Sequence, residues 1–249
     1  MPASSGIDRI DGGERTDCRV LVFAKAAIPG RVKTRLIPAL GAETAAALHE
    51  TLLDHTLETA LAASPNAEAA PTAKSAPNAI QLWCEPSRRH PFFQRYSQLF
   101  DLRSQIPGNL GDRMARAFES AQHSVARAIA IGCDCPALTP SHLRGAAAIL
   151  ETGYDAVIIP AEDGGYILLG LARFSPVVFE RIAWGAETVL AQTRDRLASL
   201  GWRWHETAPL WDVDRPEDYA RMLGEHVLPG WPRRQAPYQP ERAQAERGD

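Results

Sequence analysis

Short apolar runs rich in β-branched residues recur along the chain and alternate with stretches whose apolar residues return every three or four positions. Val20 to Phe23, Ile80 to Cys84, Ala128 to Ile131, Ala156 to Ile159 and Tyr166 to Leu169 have the length and composition of strands. Between them, Leu53, Leu57, Ala60 and Leu61 share one face of a helix predicted over Glu43 to Ala62, and Leu143, Ala146, Ala147 and Leu150 repeat that spacing. The second of these has a start signal: Thr139 is a capping residue, and Pro140 suits a first turn whose N–H has no partner in any case. Val189, Thr193, Leu197 and Leu200 mark a third helix with Gly201 as its stop. Trp202 and Trp204 then share one face of a strand as core residues. Strand and helix in alternation predict an α/β fold, a mostly parallel central sheet with helices on both faces.

The pattern fades in three places. Residues 1–17 are polar and Gly-rich, residues 228–249 carry four prolines among charges, and Ala63 to Ala79 is an Ala/Pro-rich stretch without periodicity. The first two read as flexible tails and the third as an inserted surface loop. One domain over residues 18–227 is the expected organisation. With 249 residues, 45% of them hydrophobic and 23% charged, the composition suits one substantial core. A formal net charge of -3 gives no broad basic field, which argues against nucleic acid as the main partner. No apolar run approaches a membrane span and the first residues contain no apolar signal core, so no membrane partner and a cytoplasmic default are expected. Four cysteines at strand-like positions fit reduced thiols, and Cys133-x-Cys135 without a second pair nearby falls short of a closed zinc site. His49 and His55 lie on a helix without metal-ligand spacing and read as surface or half-buried residues.

Chemistry concentrates at two strand ends. Lys25, Arg31, Lys33 and Arg35 sit on a turn-rich loop after the first apolar run, and Asp134 closes the run that ends near Ile131. Ligands of such sheets collect at the carboxyl ends of strands, where both segments fall. A diphosphate needs cations on one side and a carboxylate-held divalent ion on the other, and these segments supply both. The loop holds a single glycine, Gly30, and lacks the glycine patterns of dinucleotide folds and P-loops, so side chains must grip the phosphates. Asp212 and Asp214 add carboxylates, and alternation along an extended Trp-Asp-Val-Asp puts both on one face. Asp214-x-x-Glu217 also spells a capping box for the last helix. Glu162-Asp163-Gly164-Gly165-Tyr166 reads both as an acidic hairpin turn and as a place where backbone meets substrate closely. Trp184, before a glycine, suits a sugar-stacking wall or core packing. No local signature of a Ser-His-Asp or Cys-His nucleophile is present.

The basic loop, Gly132-Cys-Asp-Cys-Pro136, Pro160-Ala-Glu-Asp-Gly-Gly-Tyr166, Ala183-Trp-Gly185 and Trp211-Asp-Val-Asp-Arg-Pro-Glu-Asp218 resemble, in order, a GT-A-fold family of nucleotide-diphospho-sugar transferases. That family is often labelled a glycosyltransferase of arsenosugar biosynthesis, and is similar to nucleotidyltransferases that make molybdenum cofactors, cytidylyl sugars and phospholactyl nucleotides. The resemblance covers about residues 19–224 and implies a Rossmann-like GT-A fold with Mg2+ or Mn2+ as cofactor. It implies that Lys25, Arg31, Lys33 and Arg35 bind phosphate, that Asp134 and Asp214, with Asp212, hold the metal, and that Gln105, Gly111 and Asp112 meet the nucleoside. Gly164, Gly165, Tyr166 and Trp184 fall on the acceptor side, with Glu162, Asp163 and Lys33 as the catalytic set. This sequence departs from the pattern at Cys133, where a small hydroxyl residue is usual, and at Ala186, where threonine is common.

The expected activity is metal-dependent transfer from a nucleotide-linked sugar to a small-molecule acceptor. Nucleotidyl transfer from a nucleoside triphosphate to a phosphorylated acceptor uses the same cations, and a non-catalytic nucleotide-sugar sensor is the third reading. The acidic pair Glu162-Asp163 favours glycosyl transfer, because a neutral hydroxyl nucleophile benefits from a base and a phosphate does not.

Overall fold

A computed structural model describes residues 18–64, 79–228 and Trp231. The predicted tails and inserted loop lie outside these residues apart from their edges. The described residues form seven strands, β1 (Cys18–Lys25), β2 (Ile80–Glu85), β3 (Asp101–Ser104), β4 (Arg127–Ile131), β5 (Ala156–Pro160), β6 (Tyr166–Leu171) and β7 (Trp204–Glu206). They make one sheet in the order β3-β2-β1-β4-β6-β5-β7. Pairings β1–β2, β1–β4, β2–β3 and β5–β7 are parallel, while β6 runs antiparallel to both β4 and β5. The predicted mostly parallel sheet is thus interrupted by one reversed strand, which the tight turn at 161–165 produces by folding β6 straight back on β5.

The helices are α1 (Ile37–Leu40), α2 (Ala42–Ala63), α3 (Pro91–Gln94), α4 (Leu110–Gln122), α5 (Pro140–Glu151), α6 (Val189–Ser199) and α7 (Pro216–Glu225). Strand alternation sorts the core into two layers. Ile129 and Ile131 of β4 and Val157 and Ile159 of β5 face Leu53 and Leu57 of α2 and Leu143, Ala146 and Leu150 of α5. Their neighbours Ala128, Ala130, Ala156 and Ile158 turn to the other face, under Met114, Ala117 and Phe118 of α4 and Leu197 of α6. Each fully buried leucine or isoleucine in these layers contributes about 1.5–3 kcal/mol relative to exposure.

A third cluster decides where the site lies. Leu36, Leu48 and Leu52 pack with Trp211, Val213, Met222 and Leu228, so a second stripe of α2 holds the segment after β7 and α7 against the basic loop. No disulfide joins Cys18, Cys84, Cys133 and Cys135. No described helix is long and apolar enough to cross a membrane.

Two local expectations shift. Trp202 is buried in the core but precedes β7, and only Trp204 is a strand residue. The last helix is capped one residue later than predicted: Asp218, not Glu217, accepts from the backbone N–H groups of Asp214 and Arg215 at 3.1 and 2.7 Å. Pro216 takes the first turn, so Arg215 becomes the N-cap and the Asp214 side chain is left for another role.

Candidate active site

β1 and β4 are neighbours and parallel, so the chain segments leaving their carboxyl ends emerge side by side. The loop after β1 turns at Gly30 (φ 80°) and again at Lys33, whose backbone is left-handed at φ 48° and ψ 41°. That conformation costs a non-glycine residue roughly 1–2 kcal/mol. Lys33 holds it because its ammonium is fixed at the far end: Nζ lies 2.5 Å from Oδ1 of Asp134 and donates to the Val213 carbonyl at 2.6 Å. The Val213 N–H in turn donates to the Asp134 carbonyl at 2.8 Å. The basic loop, the end of β4 and the segment after β7 are therefore locked together around one buried lysine. Burial works against the charge on Lys33, but the Asp134 carboxylate outweighs it and raises the ammonium above its ordinary value. Burial likewise opposes ionisation of Asp134, and Lys33 followed by His49 overcomes it, holding the carboxyl below the usual range.

His49 is where the sequence reading fails. It is buried, not surface or half-buried; its Nε2 meets the Lys25 carbonyl at 3.0 Å and its Nδ1 lies 3.9 Å from Asp134 Oδ1. Burial first, with Lys33 and Lys25 adding to it, pushes the imidazole below its ordinary value despite Asp134. Cys133 is buried beside it, with Sγ 3.9 Å from the same Asp134 oxygen. These three side chains bring nitrogen, sulfur and oxygen donors within 4.8 Å of one another. His55 is engaged elsewhere, its Nε2–H donating to the Pro136 carbonyl at 3.1 Å.

Two clefts meet here. The first, about 350 Å³, is lined by Lys25, Arg31, Lys33 and Arg35, with His49, Asp134 and Asp214. The second, about 770 Å³, shares Arg35 and Asp214 and continues past Asp212, Asp163 and Glu187 to Tyr166 and Trp184. Arg35 and Asp214 form an ion pair at the junction. Asp212 and Asp214 come from an irregular segment, not a strand, so the alternation argument does not apply, yet both reach the site because Trp211 and Val213 are anchored in the third core cluster. Asp212 is half-buried, and burial, with Asp163, Asp134 and Asp214 adding repulsion against the pull of Lys33, lifts its carboxyl to about 6. Asp134, Asp212 and Asp214 offer the carboxylate oxygens that Mg2+ or Mn2+ takes, but Asp134 and Asp214 are paired with Lys33 and Arg35, and Asp212 and Asp214 do not join the group of donors lying within 4.8 Å of one another.

The hairpin turn is real. Ala161 N–H donates to the Gly165 carbonyl at 3.0 Å and Gly165 N–H to the Asp163 carboxylate at 2.9 Å. Glu162 leaves the turn to pair with Arg221 at 2.9 Å, and the Arg221 guanidinium lies 4.4 Å from the centre of the Trp211 ring. Gly164, at φ 91°, has no room for a side chain because the Glu187 carbonyl fills that space. Its close backbone approach is to the chain itself.

The expected nucleoside residues serve the fold. Gln105 donates to the Trp83 and Ala24 carbonyls at 2.8 and 3.3 Å, bridging the ends of β1 and β2. Asp112 caps α4 reciprocally with Asn109, each accepting a backbone N–H at 3.0 Å. A β-carbon on Gly111 would collide with the Trp184 indole, so that glycine seats Trp184, which meets Tyr166 edge-to-face at 6.5 Å. Trp184 is half-buried and walls the second cleft, so packing and exposure coexist in it.

The fold is similar to that of solved nucleotide-diphospho-sugar transferases and nucleotidyltransferases. Residues 68–186 match a family described as an uncharacterized protein conserved in bacteria (DUF2064). Among solved structures, a candidate nucleotide-diphospho-sugar transferase from Desulfovibrio desulfuricans G20 is 26% identical, with a TM-score of 0.71 over 92% of this chain and 96% of that one. The fold also recurs in a CMP:2-keto-3-deoxy-manno-octonic acid synthetase complexed with CTP (11% identity, TM-score 0.53, 85% and 99% of the two chains). A cytidylyltransferase from Leptospira borgpetersenii serovar Hardjo-bovis shares it too, at 10% identity and a TM-score of 0.52 over 90% and 99% of the chains. No curated protein matches the chain.

Proposed function

We propose that the protein is a metal-dependent glycosyltransferase that takes a nucleotide-diphospho-sugar donor and a small-molecule acceptor. The observation that carries this reading is the opposite polarity of the two joined clefts. The first gathers four cationic side chains, and the second is lined by six carboxylates, two arginines and no lysine. A diphosphate suits the first, with Lys25, Arg31, Lys33 and Arg35 bearing its charge. The second suits a neutral acceptor, because like-charge juxtaposition costs several kcal/mol and would repel a phosphorylated one.

Asp134, Asp212 and Asp214 would hold Mg2+ or Mn2+, which supplies electrostatic stabilisation of the departing nucleoside diphosphate. Lys33, once drawn from Asp134 toward the phosphates, adds a fixed cation at the leaving group. Trp184 and Tyr166 orient the acceptor ring. The acceptor hydroxyl oxygen bonds to the anomeric carbon, the bond from that carbon to the diphosphate oxygen breaks with its electron pair, and the hydroxyl proton passes to a carboxylate. Asp163 is that base: among the described residues it has no cationic partner, whereas Glu162 is tied to Arg221.

Nucleotidyl transfer is the second reading, and the Glu162–Arg221 pair favours it by removing one base that a phosphate nucleophile would not need. Incubating the protein with MgCl2 or MnCl2 and a panel of nucleotide sugars and nucleoside triphosphates separates the two. Nucleoside diphosphate release supports glycosyl transfer; pyrophosphate release overturns it. Specific binding of a nucleotide sugar without turnover would identify a sensor instead.

A further inference from the structure

Among the described residues, both carboxylates that line the cationic cleft are already answered by a cation. Asp134 Oδ1 lies 2.5 Å from the Lys33 ammonium, and Asp214 forms its ion pair with Arg35. Four cationic side chains face these two carboxylates, so a divalent ion entering alone would add to a surplus of positive charge. The two pairs differ in how readily they open. The Arg35 and Asp214 side chains are 62% and 42% exposed, and water replaces either partner at little cost. The Lys33 side chain is 4% exposed, and its ammonium is held between two oxygens, the Asp134 carboxylate and the Val213 carbonyl at 2.6 Å. An ion approaching Asp134 must therefore evict a buried cation that has no water to turn to, and breaking such a pair by removing one partner is strongly unfavourable.

We infer that Lys33 is a displaceable lock on the metal site: its ammonium occupies Asp134 until a diphosphate draws it away, so the empty site takes Mg2+ or Mn2+ only weakly and ion and diphosphate bind cooperatively. The diphosphate offers what the evicted ammonium lacks, anionic oxygens within the same cleft that accept its N–H bonds. Lys33 keeps its charge throughout and no proton moves. Asp134, once released, presents its carboxylate to an ion that the phosphate oxygens hold on the other side, a shared coordination that suits Mg2+. The locked state lowers the apparent affinity for the ion by the fraction of molecules in which Asp134 is free, and the first ligand removes that penalty. Reciprocity requires the ion to raise the affinity for diphosphate by the same factor. The inference deepens the proposed function by naming what regulates its metal, and rests on that reading for the diphosphate.

The test is equilibrium dialysis of the full-length, chelator-treated protein against MnCl2, with and without inorganic diphosphate, manganese being measured on both sides of the membrane. Free manganese diphosphate equalises across the membrane, so only protein-bound metal registers. The protein alone should retain Mn2+ weakly, and diphosphate should raise the affinity about 5–150-fold. Lys33→Met should tighten binding of Mn2+ alone by a similar factor, because Asp134 is freed, and circular dichroism establishes that this variant is folded. Lys33→Gln, which keeps a donor for the Val213 carbonyl, serves the same comparison if methionine there does not fold. Lys25→Met removes a charge from the same cleft without freeing an Asp134 oxygen, and should move that affinity by less than about 5-fold, which separates displacement from plain charge repulsion. Mn2+ held as tightly without diphosphate as with it, no Mn2+ retained under either condition, no tightening in the Lys33 variants, or an equal gain in Lys25→Met would each overturn the lock. These outcomes separate from those of the donor screen. Turnover of a nucleotide sugar by a protein that binds Mn2+ without help from diphosphate leaves the transferase reading standing and sinks the lock; a diphosphate-dependent metal site that turns over no donor does the reverse.

Discussion

Asp212→Asn should make the metal-free protein more stable at alkaline pH. The Asp212 carboxyl is lifted from its ordinary 3.8 to about 6, chiefly by burial and then by Asp163, Asp134 and Asp214. The folded state thus prefers the protonated form. The stabilisation this gives is fully present below 3.8 and is lost as pH rises through about 6, above which the ionised carboxylate works against the fold. At about 1.4 kcal/mol per tenfold change the full effect approaches 3 kcal/mol, and residual solvent screening of a half-buried group reduces it to about 1–3 kcal/mol. Asparagine has the same shape and never ionises, so it keeps the protonated-state packing at every pH.

For a chain of this length each kcal/mol moves the melting temperature by about 2–4 °C, so at pH 8 with a chelator the variant should melt roughly 2–10 °C above the parent. At pH 3, below both values, the two should melt together. Thermal denaturation followed by circular dichroism across this range checks both limits. Adding MnCl2 should stabilise the parent more at pH 8 than at pH 5, because the ion needs the ionised carboxylate, and should shrink the gap to the variant. A variant no more stable than the parent at pH 8, or a gap independent of pH, would refute the claim that crowded carboxylates strain the metal-free site.

Gly111→Ala should destabilise the fold by about 1–3 kcal/mol, since its methyl group meets the Trp184 indole, and should shift tryptophan emission as that ring is displaced; an unchanged melt and spectrum would contradict the packing. Glu162→Gln breaks a pair whose side chains are 40% and 52% exposed, so stability should fall by less than about 1 kcal/mol in chemical denaturation. If Asp163 is the base, Glu162→Gln should retain turnover within a few-fold while Asp163→Asn loses about 10²–10⁴-fold, and steady-state rates of both variants distinguish that from the opposite assignment.

The five apolar strands and the long helices were legible because their residues are buried on periods that the sequence displays directly. β3 was not, because Asp-Leu-Arg-Ser has one buried side chain, and β7 was legible only in part: the Trp202–Trp204 alternation marks a strand there, but the strand begins at Trp204 and Trp-His-Glu is half-buried throughout. The cationic loop and Asp134 were legible for a topological reason, as each directly follows a strand that must lie inside a parallel sheet. His49 was hidden by the two-sided burial of α2. Leu53 and Leu57 face the sheet while Leu48 and Leu52 face the segment carrying Trp211 and Val213, and a helix buried on two stripes gives no single polar face from which an inward histidine stands out. Its partners, Lys25 and Asp134, are set by strand order, which no local window contains.

The same topology explains why one lysine touches every part of the site. A parallel β1–β4 pair brings the basic loop beside Asp134, but nothing in that pairing fixes the segment after β7, which enters from the far edge of the sheet. The Val213 backbone closes the gap by donating to the Asp134 carbonyl and accepting from Lys33, while its side chain is fully buried under α2 and α7. Asp212 and Asp214, one residue to either side, are thereby held at the junction of the two clefts by core packing, to which the Arg35 pair adds for Asp214. Mutually repelling carboxylates stay together only if something bears the cost: Lys33 and Arg35 offset it for Asp134 and Asp214, and for Asp212 it falls on the apolar cluster around Trp211 and Val213.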